Sequence, residues 1–381
     1  MSGSTTQQTK KVRILVVGCG NMGASHATAY HQLEGFEIVG LVSTGNSKTV
    51  LNQALMASSS GPQVSSGTVS GAGYPLFDEF EQALKSTRPD AVCISTYPDT
   101  HESFAIAAFE QGCHVFIEKP LADTVEGAKR VAQAAEKAGK KLVVGYILRH
   151  HPSWQRFIEM SRELGSPLVM RMNLNQQSQG RMWTVHRNLM KSLSPIVDCG
   201  VHYIDVMCQM TRSRPTQVSA IGARLTEEIP AGNYNYGQLQ IRFENGSVGW
   251  YEAGWGPMIS ETAFFVKDVI GPKGSLSIVA KQAASSGQSD SVESHTKTES
   301  LRYHRADLDE KDHFKTPDTW INLEDEPDHQ ELCNREQRHF LKAIQENLDL
   351  TDATQDAIAS LRIAFACDES VHTGQIVLLD K

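Results

Sequence analysis

The chain is 381 residues long, enough for two domains with separate cores, and its net charge of −8 excludes a generic nucleic-acid surface, which needs a basic excess. No apolar run is long enough to cross a bilayer, so no membrane span is expected. The polar opening "MSGSTTQQTKK" lacks the apolar stretch of a secretory signal, and the seven cysteines are scattered without a C-x-x-C pair. Buried reduced thiols in a cytoplasmic protein are the expectation.

In chain order, "KVRILVVG" (11–18) reads as a buried parallel strand and "ASHATAYHQL" as the helix after it. "FEIVGLVS" (36–43) is the next strand, followed by a Ser/Gly-rich loop at 58–73. Then come a helix in "EFEQALKST", a strand in "PDAVCIST", a helix in "HESFAIAAFEQG" ending at Gly112, and a strand in "HVFIEKP". "DTVEGAKRVAQAAEKAG" is a helix with Asp123 and Glu126 at capping-box spacing and Gly139 as its stop. "KLVVGYI" (141–147) is another strand. Alternating strands and helices predict an open parallel sheet over 11–149, which binds ligands beyond the C-terminal ends of its strands. Ser43, Thr96, Lys119 and Arg149 fall on that rim.

From about 165 the texture changes. "LVMRMNLNQ", "PTQVSAIGARL", "YGQLQIRFENGSVGWYEAGW" and "KGSLSIVA" alternate as strands of a largely antiparallel sheet, with "ENGS" a hairpin turn. A polar loop at 282–300 follows, and "NREQRHFLKAIQEN" and "ATQDAIASLRIAFACDES" close the chain as helices. The expected division is 11–149 for dinucleotide binding and 150–381 for substrate binding and oligomerisation.

Gly18, Gly20 and Gly23 form G-x-G-x-x-G directly after a strand and before a helix. The first glycine allows a tight turn, the second lets backbone approach a pyrophosphate, and the third permits close helix packing. Asn21 and Met22 complete the loop, and the helix N-terminus presents free N–H groups to an anion. Where NAD sites often carry an acid after the second strand, this chain has Ser43 and Thr44, with Asn46 and Lys48 nearby. Small hydroxyls and a cation suit a 2′-phosphate, so NADP is expected over NAD.

"SLSPIVDCGVHYIDVMCQM" (192–210) starts as a helix with Ser194 as N-cap and Pro195 at its first position. Asp198, His202 and Asp205 then share one face at i, i+4 and i+7, with Asp205 read as a structural partner. Gly200 weakens such a helix, which makes sense where something flat must come close. Arg181 and Trp183 in "GRMWTVHR" suit a sugar by hydrogen bonding and stacking, and Asn175 on "MNLNQQ" could face a cleft. The run "RHH" (149–151) does not suggest a metal, because adjacent histidines cannot easily share an ion, and no H-E-x-x-H accompanies it.

Together "GCGNMG", "IEKP" (117–120) and "DCGVHYID" resemble the Gfo/Idh/MocA oxidoreductase family, and the resemblance runs from about residue 11 to the end. "STYPDTHESFA" (95–105) resembles the family's nicotinamide-side loop and "GYILRHHP" its passage into the second domain. The resemblance implies an N-terminal Rossmann domain and a C-terminal α/β domain built on an open, mostly antiparallel sheet that packs against a partner subunit, giving a homodimer or homotetramer. It implies Thr96, Tyr97, Pro98, His101, Glu118 and Lys119 at the cofactor, and Lys119, Asp198 and His202 as the catalytic set. His202 would be the general acid/base and Lys119 would stabilise the reacting oxygen of a sugar, polyol or related hydroxy/keto compound. Arg149, Asn175 and Trp183 are further substrate contacts read from the residues themselves, with a surface or packing role as the alternative for each. The family's run of glycines before its second motif is replaced here by "MKSLSPIV". A non-catalytic NAD(P)-sensing regulator on the same scaffold is the alternative, as is a glycoside hydrolase working through bound NAD; retention of the lysine, the aspartate and the histidine together argues against a pure sensor.

Overall fold

The computed structural model describes residues 10–58, 73–260, 266–279, 298, 300–323 and 326–379; most of the loops expected at 58–73 and 282–300 lie outside them. The chain divides into two compact units. The first comprises residues up to Ala122, Glu126–Gly145 and Gln330–Thr354, and the second Asp123–Val125, Tyr146–His329 and the chain from Gln355 onward.

The first unit runs β1 (Val12–Val17), α1 (Asn21–Gln32), β2 (Phe36–Val42), α2 (Ser47–Ala57), β3 (Leu76–Phe77), α3 (Phe80–Thr87), β4 (Ala91–Ile94), α4 (His101–Glu110), β5 (His114–Ile117), α5 (Val125–Ala138) and β6 (Leu142–Val144). Its six strands pair in the order β3-β2-β1-β4-β5-β6, all parallel. Nearly every residue of β1, β4 and β5 is buried, as expected of apolar strands covered on both faces. The order reverses between β1 and β4, where parallel sheets open a crevice at the strand ends. Register aligns those ends: Val17 stands opposite Val42 and Ile94, and Ile94 opposite Ile117.

Helix α5 begins at Val125, which puts Asp123 one residue before the cap position, and Gly139 ends the helix, at φ +62°. One late helix, α10 (His329–Gln345), joins this unit from Gln330 onward, although the sequence reading assigned it to the second domain. The cause is packing: Phe340 is fully buried against Phe36 and Phe116 in the first core.

The second unit contains α6 (Pro152–Glu163), β7 (Val169–Gln177), α7 (Gly180–Leu189), α8 (Pro195–Asp198), α9 (Gly200–Thr211), β8 (Pro215–Ala223), β9 (Tyr236–Phe243), β10 (Val248–Gly256), β11 (Lys267–Gly271), β12 (Gly274–Val279), β13 (Ser300–Arg305) and β14 (Thr319–Asn322). Most of α11 (Thr351–Thr373) and the short β15 (Val377–Leu378) complete it. Its nine strands pair in the order β14-β13-β12-β11-β7-β10-β9-β8-β15. Pairing is antiparallel except between β7 and β10, which run parallel at the centre of the sheet. In β9 the buried residues Gly237, Leu239, Ile241 and Phe243 alternate with polar ones, the pattern of a sheet covered on one face. The "ENGS" turn joins β9 to β10, with Gly246 at φ +84°. All seven cysteines are free thiols, six of them buried, and no described helix is long and apolar enough to cross a membrane.

Candidate active site

The common register of β1, β2, β4 and β5 brings the residues after each strand to one edge: Gly18, Ser43, Ser95–Thr96 and Glu118–Lys119. Gly18 has φ +92°, and a Cβ there would stand 2.4 Å from the Ser95 carbonyl oxygen. A Cβ on Gly23 would lie 1.9 Å from the Gly18 oxygen. Packing therefore explains both glycines. Gly20 differs: a Cβ there meets nothing within 4 Å, so no neighbouring side chain or backbone accounts for its being bare. It is the N-cap of α1, with no side-chain cap and no acid in the first turn, so the first-turn N–H groups keep the positive end of the helix dipole unneutralised by this chain's own carboxylates. Asn21 and Met22 are the first two residues of that turn.

Beyond β2, Ser43 Oγ and Ser47 Oγ are 2.8 Å apart, and Thr44 and Asn46 lie in the turn between them. Lys48 departs from expectation. Its ammonium donates to the Ser43 carbonyl (2.7 Å), the Gly45 carbonyl (2.8 Å) and Asp78 Oδ1 (2.6 Å). It braces the turn and is neutralised by Asp78, so it is not a free cation awaiting a phosphate.

The stretch after β4 forms a 3₁₀ turn at Pro98–Thr100, with Thr96 and Thr100 hydroxyls 2.6 Å apart and Tyr97 exposed. His101 is fully buried; its ring nitrogens meet the Pro120 carbonyl (2.8 Å) and the Thr96 carbonyl (3.2 Å), and burial lowers its pKa. It joins two rim turns rather than offering a ring to a ligand. Glu118 also turns inward: its Oε1 lies 2.7 Å from His26 Nε2, and its Oε2 accepts the Lys119 backbone N–H at 3.2 Å. Lys119 is half-buried and precedes a cis peptide bond to Pro120.

In the second unit, Ser194 caps α8 by accepting the Val197 N–H at 3.1 Å, and Pro195 occupies the first helical position. The expected single helix is divided at Cys199: Asp198 ends α8 and His202 is the third residue of α9. The flat group beside Gly200 is the Tyr251 ring, 3.1 Å from where a Cβ would stand. Asp198 is buried with Cys199 Sγ 3.4 Å from its Oδ2, and half-buried His202 meets the Tyr146 ring edge-on at 5.6 Å.

Arg149 pairs with Asp205 through Nε (2.9 Å) and Nη2 (2.5 Å) and with Asp356 at 2.8 Å. Burial works against its charge, but the two carboxylates outweigh that and hold the guanidinium firmly protonated. The expected substrate contact is thus an internal ion pair, and Asp205 is its structural partner, as the sequence suggested. Trp183 is buried, with Arg187 over its ring at 5.6 Å and Glu228 at its indole nitrogen, so its faces are not open for a sugar. Arg181 is exposed. Asn175 is buried and donates to Glu252.

Sequence reasoning missed the bed beneath Asp198. The Trp255 indole N–H donates to Gln176 Oε1 at 2.7 Å, Cys199 Sγ lies 3.6 Å from the same oxygen, and the His186 ring stacks on Trp255 at 4.3 Å. The available signal was "NLNQQ": amides buried inside a strand demand partners. A cavity of about 550 Å³ lined by Arg88, Asp90, His114 and Lys140 lies at the opposite, N-terminal edge of the six-stranded sheet. There burial, with Lys140 and Lys141, lowers His114 to about 4. Among the described residues, His26, Cys333 and Glu336 offer atoms all within 4.8 Å of one another.

Residues 12–146 match the profile of an oxidoreductase family with an NAD-binding Rossmann fold, and residues 156–277 match the GFO/IDH/MocA C-terminal domain. Curated relatives include an inositol 2-dehydrogenase of Paracoccus denitrificans, 29% identical over 198 residues (51% of this chain, 53% of the relative). Another is inositol 2-dehydrogenase 4 of Saccharopolyspora erythraea, 30% identical over 230 residues (58% and 61%). The matches thus span little more than half the length of these relatives. The solved scyllo-inositol dehydrogenase of Lactobacillus casei with bound NAD(H) and scyllo-inositol superposes with a TM-score of 0.71 at 19% identity, covering 97% of this chain and 99% of that one, a likeness of fold. With two successive profiles of one family covering most of its length and the parallel-sheet architecture to match, the chain belongs to the Gfo/Idh/MocA oxidoreductase family.

Proposed function

We propose that the protein transfers a hydride between a nicotinamide dinucleotide and the CH–OH or C=O carbon of a small polar compound, a polyol or sugar. The observation that carries the reading is the bare backbone at Gly20 on an α1 N-terminus without acidic side chains, an arrangement that fits a pyrophosphate. The name of the curated relatives, inositol 2-dehydrogenase, makes a cyclic polyol the first compound to try. NADP is proposed over NAD because Ser43 and Thr44 follow β2 where an acid would repel a 2′-phosphate; Lys48, held by Asp78, adds no free charge to that argument.

When bound, the nicotinamide supplies or takes up the hydride, and the protein supplies orientation and the proton. His202 accepts the hydroxyl proton during oxidation and returns it during reduction. Lys119 hydrogen-bonds the reacting oxygen and stabilises negative charge there. Asp198 orients a hydroxyl or the imidazole, and Asn175 is a polar contact for the substrate. Arg149 and Trp183 are left out, since Asp205, Asp356, Arg187 and Glu228 already engage them.

The test is dinucleotide fluorescence titration followed by turnover on a panel headed by myo- and scyllo-inositol. Lys119→Ala and His202→Ala are each expected to lower kcat by about 10²- to 10⁴-fold. Undiminished turnover in both variants overturns the assignment. Dinucleotide binding without turnover on any compound favours the sensing alternative. We also propose a homo-oligomer formed through the second sheet, supported by the partly exposed apolar row Ile270, Val169 and Val248, which stand in register across β11, β7 and β10. A monomer in light scattering overturns that.

A further inference from the structure

The first unit holds a buried polar chain that runs from α10 to the turn carrying Lys119. Tyr30 O–H donates to Gln337 Oε1 at 2.6 Å, and Gln337 Nε2 lies 3.0 Å from His26 Nδ1. His26 Nε2 is 2.7 Å from Glu118 Oε1, and Glu118 Oε2 accepts the Lys119 backbone N–H at 3.2 Å. Tyr30, Gln337 and His26 are at most 1% exposed and Glu118 is 6% exposed, so water does not screen these bonds.

The donors and acceptors form a directed sequence. The Tyr30 hydroxyl occupies the Gln337 oxygen, which leaves the amide N–H to donate to His26 Nδ1. Nδ1 must then be bare, and the imidazole proton sits on Nε2, where it donates to the Glu118 carboxylate. The groups facing His26 are Glu118 after β5, Gln337, Glu336 and Cys333 on α10, and the edge-on Phe116 ring at 4.7 Å. Glu336 is 1% exposed, neither of its oxygens has a hydrogen-bond partner among the described residues, and burial together with Glu118 raises its pKa well above the ordinary range. A neutral Glu336 leaves the Glu118 carboxylate as the charge that the imidazole N–H must meet.

We propose that His26 is a positioning residue: as a neutral imidazole protonated on Nε2, it holds the Glu118 carboxylate beneath the Lys119 backbone and so couples helix α10 to the reactive amine. The proposal rests on the reading of Lys119 as the residue at the reacting oxygen. It explains why a segment more than 300 residues downstream packs into the dinucleotide unit with an amide, where an apolar side chain would fill the space more simply. It also argues against a metal at His26, Cys333 and Glu336, because both imidazole nitrogens are already engaged.

The experiment combines nitrogen-15 spectra of histidine-labelled protein with kinetics of the full chain. Wild type should show His26 as the neutral Nε2–H tautomer, a signature that does not depend on any activity. Gln337→Glu places a second carboxylate at Nδ1 and should convert His26 to imidazolium. His26→Leu should lower kcat by about 10²-fold, with dinucleotide affinity within about twofold of wild type. His26→Gln, whose amide can donate to Glu118 from the Nε2 position, should recover most of that loss. An Nδ1–H or imidazolium signal in wild type, equal kinetics for His26→Leu and wild type, or uptake of one zinc ion per chain with displaced His26 signals overturns the proposal. If Lys119→Ala is fully active while the tautomer is as expected, the reading of Lys119 has failed and the hydrogen-bond chain stands.

Discussion

Gly20→Ala and Gly23→Ala place the same methyl group three residues apart and should have opposite consequences. At Gly23 the new carbon would lie 1.9 Å from the Gly18 oxygen, a backbone atom that cannot swing aside. Forced overpacking of this kind costs about 2–3 kcal/mol. For a unit of this size that is a fall in Tm of roughly 5–10 °C. At Gly20 the methyl meets no protein atom within 4 Å, and the backbone is extended at φ −77°, ψ −162°, which alanine adopts without strain. Alanine is a poorer N-cap than glycine, but it restricts the unfolded chain by about 0.4–1 kcal/mol, so the two effects nearly cancel. Tm should move by no more than about 2 °C. The methyl would, however, stand where a pyrophosphate approaches. Losing charge-assisted hydrogen bonds there is worth about 1.5–3 kcal/mol, or roughly a tenfold to hundredfold weaker Kd. Thermal denaturation reads the first quantity and titration of reduced dinucleotide fluorescence the second. A Gly20→Ala protein that binds NADPH and NADH as tightly as wild type would refute the reasoning, as would a Gly23→Ala protein of unchanged stability.

Arg149→Met leaves the Asp205 carboxylate, 3% exposed, with its main partner gone, and should destabilise the fold by about 3 kcal/mol in urea titration; unchanged stability with a raised KM would restore Arg149 as a substrate ligand. Lys48→Met removes three hydrogen bonds from the turn after β2 and should weaken NADP and NAD binding by similar factors. A loss confined to NADP, measured by paired titrations, would mean that Lys48 meets the 2′-phosphate after all. Burial and the nearby Glu118 raise Glu336 well above the ordinary carboxylate range, so the native state holds its proton more tightly than the unfolded chain and stability from this group falls as pH rises. Glu336→Gln cannot ionise, and its stability relative to wild type should therefore increase from about pH 5 to about pH 8; a constant difference in urea titrations at the two pH values would show that the acid is ionised in the fold.

The frame of the site was legible because it depends on local pattern. Parallel strands of near-continuous apolar residues end together, so Ser43, Thr96 and Lys119 could be put on one rim from spacing alone, whereas Arg149, placed there with them, belongs to the second unit. The Ser194–Pro195 helix start and the close approach to Gly200 were readable for the same reason. What the sequence did not show was the set of internal partners that these side chains take from elsewhere in the chain. Lys48 meets Asp78, Arg149 meets Asp205 and Asp356, Trp183 meets Glu228, and His101 meets the Pro120 carbonyl. In each case a plausible ligand group is satisfied internally by a residue that no periodicity links to it. The parallel β7–β10 pair escaped notice because alternation reports which face is buried, not which way a neighbour runs.

The membership of α10 in the first unit bears on how this protein can be made and cut. Phe340 fills that core and Gln337 caps its buried polar chain, so a fragment stopping at residue 149 would open a hydrophobic hole and strand His26. During synthesis the first unit cannot complete its core until residues 330–354 have left the ribosome. Shorter nascent chains therefore leave that core open, and an N-terminal piece would have to carry residues 330–354 grafted back on.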